Sequence, residues 1–123
     1  PPTVAAQEET SRVFDEAIDA VVDAYHKLLD AGVPAEDARY LLPNAAETKI
    51  VITMNIRELL HFLSLRCCNR AQWEIRELAN RMLELVRPTA PYIFMDAGAP
   101  CVRGACPEGK MTCGNPYPKV VRE

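Results

Sequence analysis

The stretch NIRELLHFLSLRCCNRAQWEIR, residues Asn55–Arg76, decides how this chain folds. It combines a helical apolar pattern with four arginines, a histidine, two adjacent cysteines and the chain's only tryptophan. An arginine beside an apolar helix face is costly to bury without a partner. The stretch therefore predicts a helical core that carries a site for an anionic group, which is either a carboxylate of the protein or a bound phosphate.

The first half of the stretch predicts one helix. Asn55 followed three residues later by Glu58 is a capping-box pattern, and it predicts a helix from Ile56 to about Arg66. This helix is apolar almost all round, which is typical of a buried helix.

The second half predicts another helix after a short break at the two cysteines. Asn69 with Gln72 repeats the capping pattern, so we expect the helix to begin after Asn69. Its apolar residues continue on one face as far as Val86, and Pro88 ends it.

Two more helices are predicted before this stretch. Apolar residues recur at steps of three and four up to Asp30, which predicts a long amphipathic helix that begins near Thr3 or Thr10. A short helix follows from Ala35 to about Leu41, because a proline stands at its first position and another proline follows it.

A single strand is predicted at Lys49–Met54, where β-branched residues form a run that is too short for a helix. The backbone groups of one strand need a partner, which must come from another chain or from sequence outside this one. The expected fold class is therefore α+β and mainly α, with four helices and one strand, as part of a larger α/β domain.

From Pro88 onward the character of the sequence changes. This tail, residues 88–123, holds six of the ten prolines and four of the five glycines and has little periodicity. We expect residues 1–87 to form the helical part and residues 88–123 to form an irregular cysteine-rich extension.

The tail carries three cysteines, Cys101, Cys106 and Cys113, with glycines and prolines between them. Such residues let the backbone fold tightly around an ion, and Cys67 or Cys68 would supply a fourth ligand. The functional interpretation is a structural zinc or iron–sulfur site that ties the tail to the helices. The alternative is a set of reduced thiols or disulfides, because the cysteine spacings are wider than those of usual zinc-binding pairs.

Four arginines, Arg39, Arg57, Arg66 and Arg70, form a second group of candidate site residues. The planar guanidinium group is a rigid fork of donors that suits phosphates and carboxylates. For any one of these arginines, a surface salt bridge with a nearby acid is the alternative. For His61, a hydrogen-bonded core histidine is the alternative to a catalyst.

The overall composition excludes some classes of function. The net charge of -3 gives no support to a nucleic-acid binder that relies on a generally basic surface. The apolar runs are too short to span a bilayer, and the N-terminus lacks the pattern of a signal peptide. We therefore expect a cytoplasmic protein that binds neither nucleic acid nor a membrane.

Three ordered blocks carry a resemblance to a known family. GVPAEDARYLLP (residues 32–43), TMNIRELLHFLSLR (residues 53–66) and NRAQWEIRELA (residues 69–79) resemble the C-terminal half of flavin-dependent thymidylate synthases. The tail pattern CVRGACPEGKMTCG resembles an extension found in one branch of that family. The family's Arg-His-Arg signature, with a serine further along, is absent here and lies upstream in the family. The resemblance implies that an N-terminal portion is missing and that this chain alone is inactive.

The resemblance also implies an activity and the residues that carry it. Enzymes of this family convert dUMP to dTMP with methylenetetrahydrofolate as carbon donor, NADPH as reductant and FAD as hydride carrier, and they are homotetramers. The implied dUMP contacts are Arg39, Leu65 and Arg66, and the implied FAD contacts are Asn55, Arg57 and His61. Arg66 is also the implied catalytic residue, because a fixed positive charge at the uracil edge stabilises anionic character in the ring.

A different class of function remains open on the residues alone. The cysteine pattern of the tail is also compatible with a non-catalytic helical interaction module that a cysteine-bound metal staples together.

Overall fold

The computed structural model describes residues 1–119, which form helices joined by irregular segments. The chain divides into two compact units, residues 1–51 and residues 52–123. The mainly helical class predicted from the sequence is confirmed. The last four residues of the predicted tail lie outside the described residues. In the described part, none of the helices combines the length and apolar character needed to cross a membrane.

The first unit consists of three α-helices and one 3-10 helix. These are α1 (Pro2–Ala5), α2 (Glu8–Asp30), α3 (Ala35–Ala38) and a 3-10 helix at Arg39–Leu41. The long predicted helix is therefore interrupted before Glu8, and the predicted short helix changes from α to 3-10 geometry at Arg39. Ala38 is the buried residue of this unit.

The end of α2 follows from one glycine. Gly32 has a φ of 85°, in the left-handed region that favours glycine. This conformation turns the backbone so that Gly32 N–H donates to Leu29 C=O at 2.9 Å and Val33 N–H donates to Leu28 C=O at 3.0 Å. The helix therefore closes where the sequence predicts.

The second unit contains the other helices. They are α4 (Ile56–Arg66), α5 (Trp73–Val86) and α6 (Pro91–Phe94), followed by 3-10 helices at Pro100–Val102 and Gly109–Met111. α4 packs against α5, and the irregular tail contributes to the same core. The buried residues of this core are Leu63, Cys67, Ala79, Leu83, Phe94, Ala97, Ala99 and Cys101.

The predicted cap of α4 is confirmed, whereas the predicted cap of α5 is wrong. The Asn55 side-chain oxygen accepts the Glu58 N–H at 2.9 Å. For α5, the cap is Gln72, whose side-chain oxygen accepts the N–H groups of the two residues after Trp73. Asn69 does not cap α5, and its side-chain amide nitrogen instead donates to Asn115 C=O at 2.7 Å.

The predicted strand at Lys49–Met54 is wrong, because the structure shows no strand within residues 1–119. Ile50, Val51 and Ile52 are 76%, 98% and 59% exposed. A strand exists only where a second strand pairs with its backbone groups. The described part of the chain offers no such strand, so the β-branched run has no regular secondary structure and is exposed.

The expectation that α4 is buried all round is also wrong. Leu63 is the buried residue of α4, and Ile56 and Leu65 are about half exposed, at 49% and 51%. Within the described part of this unit, α4 packs against α5 and the tail, which form a single core with it. The opposite side of α4 therefore faces solvent.

Candidate functional site

The exposed side of α4 carries several of the predicted site residues. Arg57, His61 and Leu65 follow one another at steps of four, so their side chains share one side of the helix. All three are exposed, while Leu63 and Cys67, also four residues apart, are buried on another side. Helix α4 thus has one side in the core and another side that is free to contact a ligand.

Three of the predicted arginines make no hydrogen bond or ion pair through their guanidinium groups within residues 1–119. These are Arg39, Arg57 and Arg66, and all of them are exposed. Arg39 begins the 3-10 helix of the first unit, whereas Arg57 and Arg66 lie at the two ends of α4. For these three arginines the alternative salt bridges are not formed among the described residues, so their donors are available to an anionic ligand.

Asn55 has a structural role that the sequence predicts and a donor that remains available. Its side-chain oxygen is held by the helix cap, while its side-chain amide nitrogen has no partner in the described part of the chain. The residue therefore offers an amide NH2 group, with two N–H donors, beside the first turn of α4.

A cavity of about 340 Å³ lies between the end of α4, the turn that follows it and the tail. Its walls include two of the predicted dUMP residues, Leu65 and Arg66. Arg70 and Glu108 are the other charged residues of its walls. Four cysteines also line it: Cys68, Cys101, Cys106 and Cys113.

Arg70 anchors the tail beside this cavity. Its Nη1 donates to Met111 C=O and lies 3.8 Å from a carboxylate oxygen of Glu108. The neighbouring turn is held in the same way, because Arg76 Nη1 donates to Asn69 C=O at 2.9 Å. The sequence left the role of Arg70 open between binding an anionic ligand and forming a salt bridge. The contacts that define this role are with residues about forty positions later in the chain.

His61 borders a second, more open cavity of about 400 Å³. This cavity lies between α4 and the region after α5, where Ile93 and Arg103 contribute to its walls. His61 is exposed, so it is not the core histidine that the sequence offered as an alternative.

The five cysteines are free thiols in different environments. Cys67 and Cys101 are buried, whereas Cys113 is exposed. Burial raises the pKa of the Cys67 thiol, and the positive charge of Arg87 lowers it by less. Within residues 1–119, no three His, Cys, Asp or Glu side chains are grouped closely enough to hold a metal ion. The predicted ligands Cys101, Cys106 and Cys113 therefore share a cavity without converging on one point.

Comparison with known proteins identifies relatives that match most of this chain. The sequence profile described as "Thymidylate synthase complementing protein" matches residues 1–92. A "Flavin-dependent thymidylate synthase" from Geobacter sulfurreducens is 63% identical over 114 residues, which is 93% of this chain and 49% of that protein. The protein of the same name from Clostridium tetani is 45% identical over 130 residues, which is 93% of this chain and 52% of that protein.

An archaeal relative shows the same relationship. The "Flavin-dependent thymidylate synthase" of Saccharolobus solfataricus is 48% identical over 98 residues, which is 80% of this chain and 38% of that protein. The chain thus spans about half the length, or less, of these curated relatives. Because the profile match covers most of the chain and includes α1 to α5, this chain belongs to the thymidylate synthase complementing protein family.

Proposed function

We propose that this chain supplies part of the nucleotide and flavin sites of a flavin-dependent thymidylate synthase. The enzyme would convert dUMP to dTMP in the cytoplasm with methylenetetrahydrofolate as carbon donor, NADPH as reductant and FAD as cofactor. The observation that carries the proposal is the set of exposed guanidinium groups without internal partners, at Arg39, Arg57 and Arg66. The names of the relatives support flavin dependence and thymidylate synthesis.

The nucleotide contacts are proposed for Arg39, Leu65 and Arg66. Leu65 lies in the last turn of α4, where helix carbonyls lack partners within the helix, so its C=O is a free acceptor for a ring N–H of the pyrimidine. Arg66, at the end of the same turn, would bring a positive charge to the ring and stabilise negative charge that develops there. Arg39, in the first unit, would bind an anionic part of dUMP.

The flavin contacts are proposed for Asn55, Arg57 and His61. Asn55 and Arg57 lie at the N-terminus of α4, where the helix dipole and a guanidinium group together favour a diphosphate such as that of FAD. His61 lies one turn further along the same exposed side. These residues provide donors of the right kind for FAD, which would supply the hydride chemistry when bound.

The assembly of the complete site is also a proposal. The chain spans about half the length of its relatives. We therefore expect the site to be completed by sequence outside residues 1–123 and by further copies in a homotetramer. Residues 1–87 would be the enzyme part and residues 88–123 an extension, and the family match ends near this boundary, at residue 92. Residues 1–123 alone would be inactive.

The test uses the intact protein, meaning this chain with any sequence that flanks it naturally. Purified protein should show flavin absorbance and, without oxygen, should oxidise NADPH only when both dUMP and methylenetetrahydrofolate are present, with the dTMP formed measured by chromatography. Arg66→Ala should lower kcat about 100-fold, because it removes a charge used in the transition state. Arg39→Ala should mainly raise KM for dUMP.

Arg81→Ala is the matched control for both arginine variants. Arg81 is exposed on α5 and pairs with Glu77 of the same helix at 2.6 Å, so its loss should leave activity unchanged. A colourless intact protein that is indifferent to dUMP would overturn the proposal. Equal losses in all three variants would also overturn the assignment of Arg39 and Arg66.

A further inference from the structure

Arg103 lies in the tail, beyond the end of the family match at residue 92, and the proposed function assigns it no ligand. We propose that Arg103 is a further cofactor-binding residue, whose guanidinium group contacts a phosphate of the same FAD molecule that His61 contacts from α4. The inference rests on the proposed function, because His61 is one of the proposed flavin contacts. It makes the tail one wall of the cofactor site.

His61 and Arg103 are distant in sequence but line the same cavity, which has a volume of about 400 Å³. The exposed side of α4 forms one wall, and the segment from Ile93 to Arg103 forms the other. Cavities of this size are typical of sites for small organic ligands. Arg57 lies one turn before His61 on the same side of α4. A ligand that extends along this side from the N-terminus of the helix therefore reaches Arg103.

The positive charge of Arg103 is not neutralised by an ion pair within residues 1–119. Its Nη1 donates to Asp96 C=O at 2.8 Å, and its guanidinium makes no other hydrogen bond in the described part of the chain. Asp96 is the acidic residue of the cavity walls, and this bond to Arg103 comes from its backbone oxygen. A guanidinium group carries several N–H donors, so donors remain for an anionic ligand.

The backbone that carries Arg103 is held in place by the core. Ala99 and Cys101, which precede it, are buried. The Arg103 N–H donates to Pro100 C=O at 3.1 Å where the 3-10 helix Pro100–Val102 ends. Because Asp96 C=O also holds the side chain, the guanidinium is fixed before a ligand arrives, and less conformational freedom is lost on binding.

The other residues of the walls indicate the class of ligand. Leu60, Ile93 and Ala97 provide apolar surface, and Ile93 is 46% exposed. The imidazole ring of His61 makes no hydrogen bond among the described residues, so its nitrogens are available. A cavity with a cationic donor, an imidazole and apolar surface suits a molecule that carries both phosphates and ring systems, as FAD does.

The experiment measures FAD binding and needs no turnover. The intact protein, with any natural flanking sequence, is freed of flavin, and the Kd for FAD is measured from the change in flavin fluorescence. Arg103→Lys keeps the positive charge, whereas Arg103→Gln keeps a donor for Asp96 C=O and removes the charge. We expect Arg103→Gln to raise the Kd about tenfold and Arg103→Lys to raise it about threefold or less.

Arg81→Ala is the matched control, because Arg81 is an exposed arginine that pairs with Glu77 within α5. Its Kd for FAD should equal that of the wild type. Circular dichroism of all variants should show the helical content of the wild type.

The dependence on salt separates a charge contact from a structural role in the tail. Between about 0.05 and about 0.5 M potassium chloride, the affinity for FAD should fall more steeply in the wild type than in Arg103→Gln, because salt screens the contact between guanidinium and phosphate. A side chain that only holds Asp96 C=O would leave the two slopes parallel.

Each outcome has a distinct meaning. Equal Kd values for the wild type and Arg103→Gln would overturn the inference and leave the proposed function intact. Equal losses in Arg103→Lys and Arg103→Gln with parallel salt slopes would also overturn it, since Arg103 would then only support the tail. Wild-type protein that binds no FAD would overturn the proposed function, and this inference with it. Binding of FAD that depends on Arg103 in a protein indifferent to dUMP would support the inference and overturn only the proposed activity.

Discussion

At the scale of single residues, neighbours in sequence have different environments. Cys67 and Cys68 are adjacent, yet Cys67 is in the core and Cys68 lines the cysteine-lined cavity. The step of four from Leu63 to Cys67 follows the buried side of α4, so helical periodicity could have assigned Cys67 to the core. Cys68 differs because the chain leaves the helix there.

The buried thiol of Cys67 predicts a dependence of stability on pH. Its pKa is raised by burial, so the folded protein keeps this proton at a pH where the unfolded chain has lost it. The contribution is fully present below the ordinary thiol pKa of about 8.5 and is lost as pH rises toward the raised value. The free energy of unfolding should therefore fall between pH 8 and pH 10 more steeply in the wild type than in Cys67→Ala.

Urea denaturation at several pH values measures this slope. Identical slopes for the wild type and Cys67→Ala would show that the Cys67 thiol ionises equally in both states.

At the scale of the element, α4 depends on its cap. Asn55→Ala removes the acceptor for the Glu58 N–H and should lower the free energy of unfolding by about 1 kcal/mol. Asn55→Asp keeps an oxygen acceptor and should restore most of the stability. Chemical denaturation followed by circular dichroism checks both variants. An aspartate variant that is as unstable as the alanine variant would rule out the cap as the cause.

The stability of the tail depends on contacts with the turn between α4 and α5. Arg70→Ala removes the contacts with Met111 C=O and Glu108, so backbone amides near residues 108–115 should exchange with solvent more quickly. A hydrogen bond from a partly exposed arginine contributes about 1 kcal/mol, which corresponds to a roughly fivefold faster exchange. Hydrogen exchange with mass spectrometry measures this effect.

Arg81→Ala is the control for the tail experiment, because Arg81 pairs with Glu77 within α5. It should leave exchange in the tail unchanged. If Arg70→Ala also leaves the tail unchanged, then packing at Cys101 and its buried neighbours alone holds the tail.

At the scale of the whole molecule, the chain consists of two compact units joined where Val51 meets Ile52. The joining segment has no helix or strand and exposes three large apolar residues, Ile50, Val51 and Ile52. Exposed irregular segments are preferred sites of proteolysis. Thermolysin, which cleaves before such apolar residues, should therefore first cut residues 1–123 between positions 49 and 52, as mass spectrometry would show.

A variant that combines Ile50→Ser, Val51→Ser and Ile52→Ser tests the same prediction. It should resist this early cut and keep the helical content of the parent, because these side chains pack against nothing that buries them. First cuts within α5 would mean that the second unit opens more readily than the joining segment.

The sequence by itself determined the three long helices α2, α4 and α5, the end of α2 and both ends of α4. The periodicity of apolar residues, the Asn55–Glu58 cap and Gly32 act through neighbours within one or two turns, so they can be read along the chain. It also determined the family, because three ordered blocks identify it. The error at Lys49–Met54 arises because a strand needs a distant partner, which local sequence does not specify.

Three features depend on contacts between residues that are distant in sequence, and only the tertiary structure decided them. These are the exposure of one side of α4, the use of Asn69 and Arg70 to hold the tail, and the choice of Cys68 over Cys67 at the cysteine-lined cavity. Each follows from how the tail, with its many prolines and glycines, packs against the α4–α5 pair. Such a segment has no periodicity from which its path could be predicted, so its contacts appear only in the folded molecule.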